Sequence, residues 1–236
     1  MTLPDKFKCI ITNWDYIYDL CRDVADDIKD SGYEPDTIIA LARGGWFAGR
    51  VMCDFLGLND LTSLKIEHYV GTASAGEGPR IKYPLADNAV TGKNVLIIDD
   101  IVDTGKSLVH AKEYVLSQNP ATVKTAALQM LYTSEFTPDY IGENLTEWAW
   151  IVYPWNFIED MIDIIGKVLV KMNLDKWTLK DIRKGLDEYH FIERINFEMA
   201  QPYRLVEVLD EMERRGGIIS ELDNDDEIIW RRPVSN

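Results

Sequence analysis

The chain has 236 residues, of which 46% are hydrophobic and 28% are charged, a composition that suits a folded protein and excludes a disordered one. Its formal net charge of −15 excludes a broad surface for nucleic-acid backbones, because such surfaces depend on clustered Lys and Arg. No apolar stretch reaches the roughly 18 residues of a membrane span, and the N-terminus lacks a signal-peptide core, so we expect a cytoplasmic protein with no membrane or nucleic-acid partner.

The first two thirds of the chain alternate predicted helices with predicted strands. Residues 13–31 carry an apolar stripe at helical spacing, with Asn13 as the N-cap and Gly32 as the stop. Apolar or alternating runs typical of strands lie at 37–42, 62–70, 95–100, 122–132 and 147–152. Such runs between helices predict an α/β fold whose mostly parallel sheet is covered on both faces, with chemistry at the carboxyl ends of its strands.

Residues 71–89 are rich in Gly, Ala and Pro and have neither a helical nor a strand pattern. We interpret this segment as a mobile functional lid, with an inert surface excursion as the alternative. Its two cations are Arg80 and Lys82, and we expect one of them to reach an anionic ligand when the lid closes.

The three cysteines, Cys9, Cys21 and Cys53, are an odd number, lie in apolar surroundings and lack the spacing of a metal site. We therefore expect buried free thiols. Free thiols are typical of a reducing compartment, in agreement with a cytoplasmic location.

Residues 95–107 read VLIIDDIVDTGKS and end like a nucleoside-triphosphate P-loop. A P-loop needs glycine five residues before its Gly-Lys pair, and Asp100 occupies that position, so this interpretation is excluded. The remaining pattern is a strand, the acids Asp99 and Asp100, and a helix that begins after Asp103. The helix start suits one monoester phosphate and the acid pair suits a ribose diol, with N-caps or solvated turns as the alternative.

This string resembles the phosphoribosyl-pyrophosphate (PRPP) signature of type I phosphoribosyltransferases. Residues 38–57 look like the pyrophosphate loop of the 6-oxopurine branch, the xanthine-guanine and hypoxanthine-guanine enzymes, and 150–155 look like the segment that closes over the purine. The resemblance covers residues 10–160. It implies a type I phosphoribosyltransferase fold with a mostly parallel five-stranded sheet, and a Mg²⁺-dependent transfer of phosphoribose from PRPP to a purine base, which yields a nucleoside 5′-monophosphate and pyrophosphate.

The resemblance implies roles at the sugar phosphate and the metal ion. The residues that would hold the 5′-phosphate are Thr104, Gly105, Lys106 and Ser107. Asp99 and Asp100 would bind the ribose hydroxyls and Mg²⁺, partly through water. Asp103 matches the acid that faces N7 of the purine and would act as the catalytic general base, with a helix N-cap as the alternative.

Further matched residues would bind pyrophosphate. Arg43, Gly44 and Gly45 match the loop whose amides stabilise the leaving group, with Arg43 catalytic, and a surface salt bridge is the alternative for Arg43. Tyr69 falls where the family begins its lid with a Ser-Tyr pair, although this chain lacks the serine. Tyr69 and Arg80 are the candidate lid contacts.

The resemblance also implies that the ring of Trp150 stacks on the purine and that the backbone at Ile151 and Val152 meets the edge of the base. A structural Trp150 in the core is the alternative. The 6-oxopurine enzymes carry a lysine that donates to O6 of the base, whereas residues 131–134 contain none. Position 6 of adenine donates instead of accepting, so we expect adenine, as in similar archaeal adenine-specific enzymes, with a 6-oxopurine or a non-catalytic PRPP-sensing regulator as alternatives.

The C-terminal third has a different pattern, and we divide the chain into a core of residues 1–160 and an extension of residues 161–236. The sequence predicts three amphipathic helices, at 157–172, 178–190 and 203–215, and then a hairpin at 218–230. The first helix begins just before the boundary. A winged-helix DNA reader is one interpretation, but 12 Lys and Arg stand against 16 Asp and Glu in residues 161–236. We favour a small helical bundle that packs over the base-binding loop or contributes to a homodimer surface.

Overall fold

The structure is a computed structural model that describes residues 6–67 and 80–233. The chain divides into two compact units, Asp15–Trp148 and a second unit made of Met1–Trp14 with Ala149–Asn236. The boundary at residue 160 remains a prediction about domains; in the structure, the unit that contains the C-terminal segment also includes the first residues of the chain.

The helices and strands of the described residues have the following bounds. The helices are α1 (Trp14–Asp30), α2 (Gly45–Leu56), α3 (Lys106–Leu116), α4 (Phe157–Met172), α5 (Leu179–His190), α6 (Arg194–Ala200) and α7 (Arg204–Arg214). The strands are β1 (Cys9–Ile11), β2 (Thr37–Ala42), β3 (Leu61–Glu67), β4 (Arg80–Tyr83), β5 (Asn94–Val102), β6 (Thr122–Leu131), β7 (Tyr140–Leu145), β8 (Trp150–Val152), β9 (Lys176–Thr178), β10 (Ile219–Leu222) and β11 (Ile228–Arg231).

The unit Asp15–Trp148 is built on a six-stranded sheet in the order β4-β3-β2-β5-β6-β7. Five strands are parallel to their neighbours, and β4 pairs antiparallel with β3 at one edge. The α/β fold with a mostly parallel sheet is therefore confirmed. Because β2 and β5 are parallel neighbours, their carboxyl ends and the loops that follow them lie at the same edge of the sheet.

Two strands of this sheet differ from the expectations. The segment 71–89 was expected to lack strands, yet Arg80–Tyr83 forms β4, in which Ile81 packs against the core while Arg80 and Lys82 are exposed. Four residues are too few for this alternation to be visible in the sequence. The strand β7 was missed because its YIGENL segment contains a glycine, which is rare in strand interiors.

The predicted strand 147–152 exists only as Trp150–Val152 and lies in the second unit. It pairs in parallel with β1, with Ile151 opposite Ile10, and is not part of the six-stranded sheet. The edge position of that sheet is occupied by β7, where a Cβ on Gly142 would lie 2.7 Å from the carbonyl oxygen of Leu128. A glycine at this position therefore allows the two strands to pack closely.

The second unit contains the predicted helices and hairpin. The antiparallel pair β10-β11 is extended by β9 to a sheet in the order β10-β11-β9, and α6 is an additional short helix. The elements follow one another in the order α4-β9-α5-α6-α7-β10-β11, with the last strand in the centre of the sheet, an order compatible with the winged-helix interpretation, which remains a prediction. Its core contains the fully buried rings of Phe157, Trp177 and Phe197.

The three cysteines are free and buried, as expected. Burial raises the pKa of the Cys9 and Cys21 thiols to about 12 and also raises the pKa of Cys53. Across the part of the chain that the structure describes, every helix is too short or too polar to cross a membrane.

Candidate active site

Asp99 and Asp100 lie near the carboxyl end of β5 and are both partly buried. The backbone N–H of Asp100 donates to Oδ1 of Asp99 at 3.0 Å, and the N–H of Ile101 donates to Oδ1 of Asp100 at 2.9 Å. Burial raises the pKa of the Asp99 carboxyl, and the neighbouring charge of Asp100 raises it further. A ligand that donates hydrogen bonds or carries positive charge would stabilise the ionised pair.

The loop after β5 leads directly into α3, whose N-cap is Gly105 with φ 82° and no side-chain cap. Asp103 therefore does not cap α3, and this alternative for Asp103 is not observed. Lys106 and Ser107 are the first residues of the helix, where N–H groups have no intrahelical acceptors. The start of α3 can consequently bind an anion through its amides and the adjacent hydroxyls.

A cavity of about 150 Å³ joins the end of β5 to this helix start. The residues that line it are Asp99, Ile101, Val102, Asp103, Thr104, Gly105, Lys106, Ser107 and Leu108. One side of the cavity thus provides a carboxylate and the other provides the amide-rich turn. A ligand with hydroxyl groups at one end and a phosphate at the other would match this arrangement.

The loop between β2 and α2 packs against the same acids. A Cβ atom on Gly44 would overlap the carboxylate of Asp100, and one on Gly45 would lie 2.7 Å from the carbonyl oxygen of Ile98. Glycine is therefore required at both positions for this close approach. The peptide between Ala42 and Arg43 is cis, and the Arg43 side chain is exposed.

The loop after β6 supplies two residues that the sequence alone did not indicate. The hydroxyl of Thr133 donates to Oδ1 of Asp103 at 3.3 Å. Phe136 packs closely on Gly105, because a Cβ atom added to Gly105 would lie only 2.4 Å from the Cβ atom of Phe136. In the sequence, residues 131–134 are notable only because they contain no lysine. No local pattern links this segment to Asp103, thirty positions earlier than Thr133.

Of the two proposed lid contacts, Tyr69 and Arg80, only Arg80 is within the described residues. Tyr69 and residues 71–79 of the predicted lid lie outside the described residues, and the lid remains a prediction. Arg80 is the first residue of β4, opposite Glu67 of β3, and its side chain is exposed. Lys82 is exposed two residues later, with its ammonium 5.7 Å from the ring centroid of Tyr83. The roles of Tyr69 and Arg80 remain predictions.

The residues assigned to the base belong to the second unit. Trp150 is 37% exposed at the start of β8, whereas Ile151 is buried beside β1. Nearby, the rings of Tyr153 and Trp155 stack with their centroids 4.7 Å apart. Trp150 is thus exposed enough to offer part of its ring to a ligand, and its role as a base platform remains a prediction.

Known proteins resemble this chain over the same region. Hypoxanthine-guanine phosphoribosyltransferases of Rattus norvegicus and Homo sapiens are each 27% identical over 160 residues, which cover 61% of this chain and 71% of theirs. The crystal structure of a purine phosphoribosyltransferase from Pyrococcus horikoshii Ot3 is 29% identical, with a TM-score of 0.55, covering 63% of this chain and 93% of that one.

A xanthine-guanine-hypoxanthine phosphoribosyltransferase from Helicobacter pylori has the same fold, with a TM-score of 0.55 at 16% identity, over 66% of this chain and 98% of that one. The model of the phosphoribosyl transferase domain matches residues 10–157, which include the acid pair, the helix start and both glycines of the β2–α2 loop. The chain therefore belongs to the phosphoribosyl transferase domain family.

Proposed function

We propose that this chain transfers a phosphoribosyl group from PRPP to adenine, forming AMP and pyrophosphate. The observation that supports this proposal is the single cavity that joins Asp99 to the amide-lined start of α3. A helix N-terminus binds the 5′-phosphate, and the carboxylates of Asp99 and Asp100 accept hydrogen bonds from the ribose hydroxyls. Both ends of the sugar phosphate are then held in one place.

In the proposed reaction, a ring nitrogen of the base forms a bond to C1 of the ribose while the bond from C1 to pyrophosphate breaks. Negative charge grows on the leaving pyrophosphate, and the backbone N–H groups around Gly44 and Gly45, with Arg43, would stabilise it. Asp103 would take the proton from N7 of the base. The hydrogen bond from Thr133 would orient the Asp103 carboxylate for this transfer.

The residues present fit Mg²⁺. Asp99 and Asp100 offer hard carboxylate oxygens, and no third His, Cys, Asp or Glu completes a cluster around them within residues 6–67 and 80–233. A site with two carboxylates suits Mg²⁺, which keeps several waters and shares substrate phosphates instead of using an all-protein cage. Bound Mg²⁺ would supply charge neutralisation at the ribose and pyrophosphate oxygens.

Adenine as the base is supported by the chemistry of the β6–β7 loop. Where the 6-oxopurine enzymes carry a lysine, this chain has Tyr132, whose side chain is 62% exposed, followed by Thr133 and Ser134. A site that lacks a cation for O6 leaves that acceptor unpaired, which costs about 1–3 kcal/mol. A 6-oxopurine is the alternative, since curated relatives at 27% identity are hypoxanthine-guanine enzymes.

Turnover measured with PRPP, Mg²⁺ and each of adenine, hypoxanthine, guanine and xanthine tests the proposal. A second candidate, a regulator that senses PRPP without catalysis, is favoured only by the winged-helix order of the second unit. PRPP binding without turnover of any base, together with retention of duplex DNA at moderate salt, would support the regulator.

We further propose that the protein acts as a cytoplasmic homodimer. Trp46 and Phe47, in the first turn of α2, are 50% and 45% exposed, and large exposed aromatic side chains are frequent at protein interfaces. The free buried thiols support a reducing compartment. Sedimentation equilibrium of the wild type and of Trp46→Ser tests the dimer, which the substitution should weaken.

A further inference from the structure

The loop between β6 and β7 begins with a turn that the hydroxyl of Ser134 closes. This hydroxyl donates to the carbonyl oxygen of Phe136 at 2.7 Å and accepts the backbone N–H of Phe136 at 3.2 Å. The backbone N–H of Ser134 donates to the carbonyl oxygen of Leu131 at 3.0 Å. These hydrogen bonds hold residues 131–136 in one compact shape.

The closed turn lies against Gly105, the N-cap of α3. A Cβ atom added to Gly105 would lie 2.4 Å from Cβ of Phe136, and 3.2 Å from both the backbone nitrogen of Phe136 and Oγ of Ser134. Gly105 is buried, and both of these neighbours are half-buried. Because the preceding residue, Thr133, donates to Asp103, the turn contacts the loop after β5 at two points.

Gly105 is the residue from which α3 starts. Its φ of 82° is in the left-handed region, and its carbonyl oxygen accepts the N–H of Val109 at 3.0 Å, which begins the hydrogen bonding of the helix. The next two residues, Lys106 and Ser107, carry N–H groups that have no intrahelical acceptor. Glycine has many accessible conformations, so a close contact at Gly105 restricts the helix start to the observed one.

The other end of the loop is held independently of Ser134. Oδ2 of Asp139 accepts the backbone N–H and the hydroxyl of Thr125, each at 2.9 Å, and Oδ1 accepts the ammonium of Lys124 at 2.8 Å. The pairing of β6 with β7 continues from there along both strands. Loss of the Ser134 hydroxyl should therefore loosen the turn without unfolding the sheet.

We propose that Ser134 is a positioning residue, whose hydroxyl closes the turn against Gly105 and so preorganises the start of α3 for the phosphate of a sugar phosphate. Ser134 acts through Gly105 and the backbone of Phe136. The identity of the ligand, a ribose with a 5′-phosphate, rests on the proposed function. A helix start that is rigid before binding loses less conformational entropy when the phosphate binds, so affinity should fall when the turn is loosened.

Ser31 offers a matched control, because its hydroxyl forms the same kinds of bonds elsewhere. It donates to the carbonyl oxygen of Ile28 at 2.7 Å, accepts the backbone N–H of Tyr33 at 3.2 Å and lies 2.8 Å from the hydroxyl of Tyr140. Ser31 lies between α1 and the amino end of β2, at the opposite edge of the sheet from the carboxyl end of β5. Ser31→Ala should therefore cost at least as much stability as Ser134→Ala.

The test is isothermal titration calorimetry of the full chain with ribose 5-phosphate, together with thermal unfolding of each variant. Ser134→Ala should raise Kd about tenfold, whereas Ser134→Thr, which keeps the hydroxyl, and Ser31→Ala should stay within about twofold of the wild type. Phe136→Ala keeps the Cβ atom and the N–H that face Gly105 but loses a ring that packs against the core. It should lower the unfolding temperature more, and the affinity less, than Ser134→Ala does.

Unchanged affinity in Ser134→Ala, or an equal loss of affinity in Ser134→Thr or Ser31→Ala, would overturn the inference. The titrations also separate it from the proposed function, because binding does not require turnover. If the wild type binds ribose 5-phosphate but converts no base with PRPP, the proposed reaction is wrong and the affinities still decide the role of Ser134. Failure of the wild type to bind ribose 5-phosphate would contradict both.

Discussion

The carboxylate of Asp100 lies directly against the Cα atom of Gly44, where the carboxyl ends of β5 and β2 meet. In the proposed function, the acid binds the ribose and the glycine loop faces the pyrophosphate. The contact between them therefore fixes the distance between the two substrate groups on either side of the bond that breaks.

Gly44→Ala should lower kcat/KM for PRPP by about 10- to 100-fold, because either the carboxylate or the loop must move to admit the methyl group. Steady-state kinetics measure the effect. Gly166→Ala is the matched control, since no atom lies within 4 Å of a Cβ there and the residue is inside α4. The control should keep full activity and gain up to about 1 kcal/mol in stability. An unchanged kcat/KM for Gly44→Ala would contradict this account of the loop.

Asp103→Asn should reduce kcat by about 100-fold or more with little change in KM for PRPP, because the amide cannot accept the proton from N7. Thr133→Val should reduce kcat by about three- to tenfold, since it removes the 3.3 Å hydrogen bond to Asp103 without changing side-chain volume. Thr133→Ser retains a hydroxyl and should restore most of the rate. Equal losses in kcat and in PRPP binding would indicate a structural carboxylate instead.

Tyr132→Lys should shift base preference toward 6-oxopurines. Tyr132 belongs to the segment 131–134, for which the resemblance to the 6-oxopurine enzymes implies a lysine, and it is exposed, so a longer cationic side chain can be accommodated there. The ratio of kcat/KM for hypoxanthine to that for adenine should rise by about tenfold, the effect of one added charged hydrogen bond. Tyr132→Gln serves as a control for the loss of the aromatic ring, and an equal shift in both variants would argue against a role for the cation.

The stability of the protein should depend on the protonation of His190. This side chain is buried, with Nδ1 3.3 Å from the carbonyl oxygen of Phe7 and the two rings 4.4 Å apart. Burial lowers the pKa of His190 below its ordinary value of 6.5, and the charges of Lys167 and Lys171 lower it further. The unfolded chain then binds a proton more readily than the folded one.

The contribution of His190 should therefore be complete above about pH 6.5 and be lost as the pH falls through the lower pKa of the folded state. The free energy of unfolding should fall by at most about 1.4 kcal/mol per pH unit in this window. Urea denaturation at pH 7.5 and 5.5 measures it, and His190→Gln should remove this part of the pH dependence. The same pH dependence in the variant and the wild type would show that another group is responsible.

Local sequence patterns predicted the features that depend on neighbouring residues. The apolar run 95–100 predicted β5, and the adjacent string to Ser107 predicted the acid pair and the helix start. By contrast, β4 and β7 are short or contain glycine, so their strand character depends on pairing with β3 and β6. The winged-helix order was visible only as a possibility, because β9 has three residues and belongs to the sheet through its pairing with β11.

Contacts between distant residues could not be read from the sequence. Thr133 and Asp103 are brought together by the pairing of β5 with β6, and Phe136 meets Gly105 through the same geometry. The acidic residues of the loop 223–227 could be read from the sequence, and the expectation that they disfavour DNA remains a prediction, whereas the packing of α6 and α7 around Tyr203 could not be read from it.

The most direct test of the account is the conversion of PRPP, in the presence of Mg²⁺, with each of the four purine bases, followed by chromatography of nucleotides and measurement of pyrophosphate. We expect stoichiometric AMP and pyrophosphate from adenine, at a rate in the usual enzyme range of about 1–1,000 s⁻¹. Turnover confined to hypoxanthine, guanine or xanthine would correct the choice of base and leave the transfer reaction intact. No consumption of PRPP with any base would contradict the central claim.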